Sequence, residues 1–282
     1  MSDIQIHDKY KPLFSSDSRY FVITGGRGSG KSFAVTVFLN LLTYEESNGI
    51  LFTRYTMSSA SMSIIPEFIE KIGLMGATNN FEVTKYDIKN KSTGSFIFFS
   101  GIKTASGDQT AKLKSISGIN TFVLDEAEEL LDEESFDKID YSIRSKDAKN
   151  RVLLILNPTT KEHWIYQRFF QNRGIPDGFN GTVDNVTYIH TDYRDNIDNL
   201  SESFVQQVED MKIRRPDKYT HQILGGWLQR AEGVVFTDWQ IGKFNKDMPL
   251  RCFGLDIGFS RDETVLTEVS VDKQRKIIWV KE

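Results

Sequence analysis

The chain has 282 residues, 39% hydrophobic and 26% charged, which is enough apolar material for one large domain or two ordinary ones. Its 35 basic and 39 acidic residues give a net charge of −4, which excludes a surface coated in positive potential but not a local patch gripping phosphates. No apolar run approaches the ~20 residues that cross a bilayer, "MSDIQIHDKYKPLF" lacks the pattern of a secretion signal, and the single Cys252 fits a reducing compartment.

In chain order, Tyr20–Thr24 is a short β-rich apolar run and predicts a buried strand. Ser32–Tyr44 carries apolar residues at helical spacing and predicts a helix, and Gly49–Tyr55 the next strand. Pro66 falls inside the apolar pattern Ile64–Ile72, so a helix is expected to begin beside it rather than run through it. Phe81–Gly101 predicts two strands joined around Asn90–Gly94. "TFVLDEAEEL" (Thr121–Leu130) is a strand ending in acid, and "RVLLILNPTT" (Arg151–Thr160) a strand stopped by Asn-Pro. Strands alternating with helices over the first ~200 residues predict an α/β domain, a mostly parallel sheet flanked by helices. Residues 201–225 are expected to be helical, capped by Ser201 or Ser203. Glycines at 226, 233 and 242 and Pro249 break the pattern, so residues 226–250 are expected to be a linker between a first domain, 1–225, and a short second one, 251–282, of up to three strands.

The densest chemistry lies in "VITGGRGSGKSFAV". Gly25, Gly30, Lys31 and Ser32 fill G-x-x-x-x-G-K-[ST] between a predicted strand and a predicted helix. Along Gly25, Gly26, Arg27, Gly28, Ser29 and Gly30 the backbone turns tightly enough to aim N–H groups at phosphate oxygens, and the helix N-terminus adds partial positive charge. Lys31 then reaches the β- and γ-phosphates and the Ser32 hydroxyl ligates Mg²⁺. Chance produces the pattern in roughly one chain of this length in a hundred. The stretch predicts a P-loop that holds ATP.

Asp125 and Glu126, at a strand's carboxyl end, are placed to hold hydrated Mg²⁺ and to take a proton from attacking water. Glu128, Glu129, Asp132, Glu133 and Glu134 read instead as the polar start of a helix after the strand, a solvated acidic face. Asn157 is either an amide that senses the γ-phosphate or simple Asn-Pro turn chemistry. Arg27 is a fixed positive charge within reach of the γ-phosphate, or a solvent-facing loop residue. Lys114 and Arg144 are weaker candidates for a charge supplied to a neighbouring subunit. Arg214, Arg215 and Lys218 form a basic cluster that reads first as a solvated helix face and second as a grip on DNA.

Together these pieces resemble the large subunit of tailed-phage terminases, the motors that pump DNA into empty capsids. "GGRGSGKS" is similar to that family's phosphate loop, including its arginine, "VLDEAEEL" to its metal-binding and catalytic acids, and "LILNPT" to its coupling motif. The resemblance implies an ATPase in the host cytoplasm with Glu126, Arg27, Lys31 and Asn157 in catalytic roles. It also implies double-stranded DNA, a portal protein and a small terminase subunit as partners, with a ring, as a pentamer on the portal, that is a monomer in dilute solution. "FGLDIGFSRDET" is similar to the first strand of the family's ribonuclease-H-like nuclease, which places Asp256, and less firmly Asp262, at a Mg²⁺ or Mn²⁺ site. Without the resemblance Asp256 reads as a strand-end acid before a Gly turn. Two-metal chemistry needs carboxylates from several strands, and the sequence ends at Glu282 before later acids appear. The expectation is a whole ATPase domain, a nuclease domain barely begun, and no DNA cutting by this chain. Two rival readings share the cradle: another P-loop DNA motor, such as a helicase or recombination ATPase, and a nucleotide-gated DNA-binding scaffold without turnover.

Overall fold

In the computed structural model, which describes residues 4–56, 60–104, 107–108, 118–229, 242–248, 250–256 and 264–281, the chain divides into two units, Met1–Glu232 and Gly233–Glu282. Lys114, Asp262 and residues 230–241 of the expected linker lie outside the described residues.

The strands of the first unit are β1 (Tyr20–Gly25), β2 (Gly49–Thr56), β3 (Phe81–Val83), β4 (Asp87–Asn90), β5 (Phe96–Thr104), β6 (Gly107–Asp108), β7 (Thr121–Asp125), β8 (Arg151–Leu156), β9 (Gly181–Val183) and β10 (Val186–Thr191). They form one sheet in the order β3-β4-β5-β2-β7-β8-β1-β10-β9, with β6 on β5. From β5 to β10 every neighbouring pair is parallel, and the antiparallel strands sit outside them. This is the α/β fold, a mostly parallel sheet flanked by helices, that the alternation of elements predicts.

The central strands are apolar at nearly every position because both faces are covered. Successive side chains point to opposite faces. Ile23, Phe52, Val123, Leu153 and Ile155 therefore join one core with α2 (Lys31–Leu42) and α3 (Ala60–Leu74), after the short N-terminal α1 (Pro12–Ser15). Val22, Leu51, Phe122, Leu124 and Leu154 join the other with α4 (Glu133–Asp140) and α5 (Trp164–Phe169). A layer around α6 (Glu202–Arg214), the segment Pro216–Lys218 and a π-helical turn, Tyr219–Ile223, has its own small core of Tyr193, Val208, Tyr219 and Ile223.

Two local expectations are corrected. Helix α3 runs through Pro66 rather than starting beside it. The lost hydrogen bond is outweighed by Ile64, Ile65, Phe68 and Ile72, whose spacing buries one continuous face. Phe81–Gly101 holds parts of three strands, because a turn at Thr84–Asp87, closed by the Thr84 hydroxyl donating to Asp87 Oδ1 at 2.7 Å, adds a second hairpin. The acidic run holds the expected polar helix start: the Asp132 carboxylate caps α4 by accepting from the backbone N–H groups of Glu134 and Ser135, both at 3.1 Å. Ser201 caps α6 as expected, accepting from the Phe204 N–H at 3.3 Å. Trp227 is buried against Tyr166 and Phe170, and so belongs to the first unit.

The second unit is an antiparallel sheet of β11 (Leu250–Asp256), β12 (Val265–Asp272) and β13 (Ile277–Lys281), with Asp256 opposite Val265.

Candidate functional site: a phosphate cradle at four adjacent strand ends

Strands β2, β7, β8 and β1 are neighbours, and each ends at the same rim of the sheet with a polar residue: Arg54, Asp125, Asn157 after β8, and the loop leading to Lys31. The carboxyl ends of parallel strands are where open α/β sheets bind ligands. All four residues line one cleft with Gly26–Phe33, Glu126 and Glu128.

The loop after β1 is held from behind. Gly30 caps α2 in the left-handed region at φ 80°, which a side chain would strain. Gly26 packs so closely on the π-helical turn that a Cβ there would run into the Ile223 carbonyl. The next N–H, of Arg27, donates to the Gln222 carbonyl at 2.9 Å. Asn196 Nδ2 donates to the Gly28 carbonyl at 2.9 Å, and the buried Tyr10 hydroxyl donates to the Ser29 carbonyl at 3.1 Å. Since backbone stands against backbone at Gly26, neither side can yield. Gly26→Ala is expected to destabilise the chain by about 1–3 kcal/mol, read as a lowered melting temperature, and to weaken nucleotide binding. An unchanged melting temperature and affinity would refute this account of the brace.

Lys31 lies under the loop. Its ammonium donates to the carbonyls of Gly25 at 2.7 Å and Gly26 at 3.0 Å, to Ser29 Oγ at 3.3 Å and to Asn157 Oδ1 at 3.0 Å. Burial lowers it to about 8, against which the negative charges of Glu128 and Asp125 pull upward. Ser32 follows, exposed, in the first turn of α2.

Asp125 is buried at the end of β7, and Arg54 clasps it, Nε at 2.8 Å and Nη2 at 2.6 Å from Oδ2. Glu126 sits in the left-handed region at φ 53°, ψ 46°, an uncommon conformation for glutamate that turns the chain sharply off the strand. Its carboxylate lies 3.4 Å from Arg54 Nη1. Burial raises the Glu126 carboxyl, and the Arg54 charge opposes that rise.

A family model for the phage terminase large subunit matches residues 17–226. The chain belongs to the phage terminase large subunit family. It is 24% identical over 308 residues to the terminase large subunit of Bacillus phage SPP1, a match that covers 99% of this chain and 68% of that protein. Among solved structures, the large terminase of a thermophilic bacteriophage in complex with ADP superposes with a TM-score of 0.61 at 14% identity, over 99% of this chain and 69% of that one. The large terminase ATPase domain of Thermus phage P74-26 gives 0.58 at 17% identity, over 79% of this chain and 94% of that one. At these identities the two structures show the shared fold. The terminase chain thus spans about two thirds of the full-length proteins it matches.

Two residues of this terminase site escape the sequence reading. Arg54 is one, since nothing local marks a strand-end arginine as the partner of acids 71 and 72 positions away. Glu128 is the other. Half-buried, it accepts from the backbone N–H and the side-chain Nδ2 of Asn157, both at 3.2 Å, while its second oxygen is buried without a hydrogen-bond partner among the described residues. Asn157 therefore does more than stop a strand: its side chain joins Lys31 to Glu128.

Of the other candidates, Arg27 is exposed and lines the cleft, and no ion pair holds its guanidinium among the described residues. Arg144, Arg214 and Arg215 are exposed and Lys218 half-buried. Asp256 is the last residue of β11 in the second unit. The donor set suits a hard cation: Ser32 and Asp125 offer oxygen ligands on one cleft, the chemistry that Mg²⁺ prefers.

Proposed function

We propose that the chain is an ATP-hydrolysing motor subunit that translocates double-stranded viral DNA into a procapsid. The observation that carries this reading is the convergence of Lys31, Ser32, Asp125, Glu126 and Asn157 on one cleft backed by a braced glycine loop. In this reading the N–H groups of the loop from Gly25 to Gly30 and the start of α2 bind the phosphates, and Lys31 exchanges its loop carbonyls for phosphate oxygens. Ser32 and Asp125 hold Mg²⁺, which when bound neutralises phosphate charge. Glu126 accepts a proton from water as its oxygen bonds to the γ-phosphorus and the bond to the β–γ bridging oxygen breaks, releasing ADP and phosphate. Arg27 steadies the charge on the transferring group, and Asn157 senses whether the γ-phosphate is present. Arg54 adds a task that the sequence does not advertise. It holds Asp125 and Glu126 side by side despite their like charge.

The second unit is proposed as strands of a ribonuclease-H-like nuclease domain, with the join to the ATPase domain falling after the buried Trp227 rather than at 226. Asp256 would be a Mg²⁺ or Mn²⁺ ligand there. Support comes from the antiparallel sheet with an acid at the end of its first strand, and from the exposed Phe253, Leu255 and Leu266, which share one face of that sheet and offer an apolar surface suited to a further layer. The partners in this reading are double-stranded DNA, a portal protein and a small terminase subunit, with a ring of subunits working in the host cytoplasm.

Steady-state phosphate release, measured with and without duplex DNA, tests the motor reading. ATP turnover that rises with duplex DNA is the expected result. Nucleotide binding with no turnover under any DNA condition would favour a scaffold and overturn the motor. Turnover coupled to strand separation would favour a helicase.

A further inference from the structure

Glu128 is a carboxylate where packing alone does not ask for one. It is half-buried, one oxygen has no partner, and burial raises its carboxyl above the usual range. A half-satisfied buried carboxylate destabilises a fold relative to an uncharged side chain. Among the described residues its other oxygen is held by one neighbour: Oε1 accepts from both the main-chain N–H and the side-chain Nδ2 of Asn157.

These contacts have a directional consequence. An ionised carboxylate only accepts and an ammonium only donates. Between Glu128 and Lys31 the amide of Asn157 therefore has one allowed orientation, with Nδ2 toward Glu128 and Oδ1 toward Lys31, where the latter contact is 3.0 Å. We infer that Glu128 is the positioning residue that fixes the Asn157 amide, so that its oxygen is presented to Lys31 and Lys31, Asn157 and Glu128 act as one relay at the phosphate cradle. This rests on the nucleotide reading above and adds to it a residue that touches no phosphate.

The relay makes a prediction that a merely structural role does not. Glu128→Gln keeps the shape but not the charge: a neutral amide oxygen accepts more weakly than a carboxylate, and its nitrogen offers no acceptor to Asn157, so Lys31 alone is left to hold the Asn157 oxygen in place. Asn157→Asp sets two carboxylates against each other. Exchanging both residues, E128Q with N157D, restores a complementary set: the glutamine nitrogen donates to one aspartate oxygen and the other accepts from Lys31.

The test is equilibrium binding of ATPγS and ADP to the full chain by fluorescence, with melting temperatures checking that every variant folds. Each single variant is expected to weaken ATPγS binding about tenfold, the scale of a hydrogen bond to a charged group, and ADP binding less. The double exchange is expected to bind ATPγS more tightly than either single variant, the non-additivity of residues that act as a unit. Glu129→Gln, at the exposed neighbour, is expected to bind as the native chain does. Native-like binding by E128Q, or a double exchange no better than the weaker single variant, overturns the relay while the loss in Lys31→Ala leaves the nucleotide reading standing. Failure of the native chain to bind ATPγS overturns the nucleotide reading itself, and the relay with it.

Discussion

Lys31→Ala is expected to lower nucleotide affinity by about a hundredfold or more and to abolish turnover. Lys31 is buried, and its ammonium already donates to three groups of the loop and to Asn157 Oδ1, so it is positioned before any phosphate arrives. Removing one partner of a buried, charge-assisted contact costs about 2–5 kcal/mol, and the neutral N–H groups of the loop cannot replace a full charge. The change also leaves the carbonyls of Gly25 and Gly26 without their buried donor, so a melting curve must accompany the binding measurement. A pH series adds an independent check. Burial lowers the Lys31 ammonium to about 8, and only the charged form attracts phosphate, so affinity in the native chain should fall as pH rises above about 8. The alanine variant has no such limb. Stability runs the other way: between about 8 and the ordinary 10.5 the unfolded chain binds the Lys31 proton more tightly than the folded one, so this group adds stability as pH rises. Native-like affinity in a folded Lys31→Ala chain would remove the cradle from the account.

Glu126→Gln should separate binding from chemistry. The amide keeps the size of the side chain but cannot take a proton, so ATPγS binding should change by no more than a few-fold while ATP hydrolysis falls by about 10²–10⁴. The contact to Arg54 at 3.4 Å survives in weaker form, and Arg54 keeps its two closer bonds to Asp125. The pair of acids is thus not expected to rearrange. Single-turnover hydrolysis beside equilibrium binding is the decisive measurement. Turnover within a few-fold of native would rule out Glu126 as the base and turn attention to Glu128, the other glutamate lining the cleft.

The sequence alone determined the parts whose signal is local. A glycine-rich turn between an apolar strand and an apolar-periodic helix is legible because each residue is needed for a reason confined to a few neighbours: tight turns, free N–H groups, a lysine at the start of the helix. The same holds for β7 and β8, whose unbroken apolar runs follow from burial on both faces, and for Asp125 at the end of one of them. Tertiary structure decided what depends on strand order. The sheet places β8 between β1 and β7, and β2 beside β7, an arrangement no local pattern encodes. That order turns Asn157 from a turn residue into the neighbour of Lys31 and carries Arg54 to the acids. It also separates Glu128 from Glu129, which share charge and run but not surroundings. It is the fold of the β7 turn, with Glu126 in the left-handed region, that buries the first and leaves the second in water. Pro66 shows the same limit from the other side: a local helix breaker is overridden when the face it interrupts is buried against a sheet, because packing free energy is summed over the whole helix and the proline's cost is paid once.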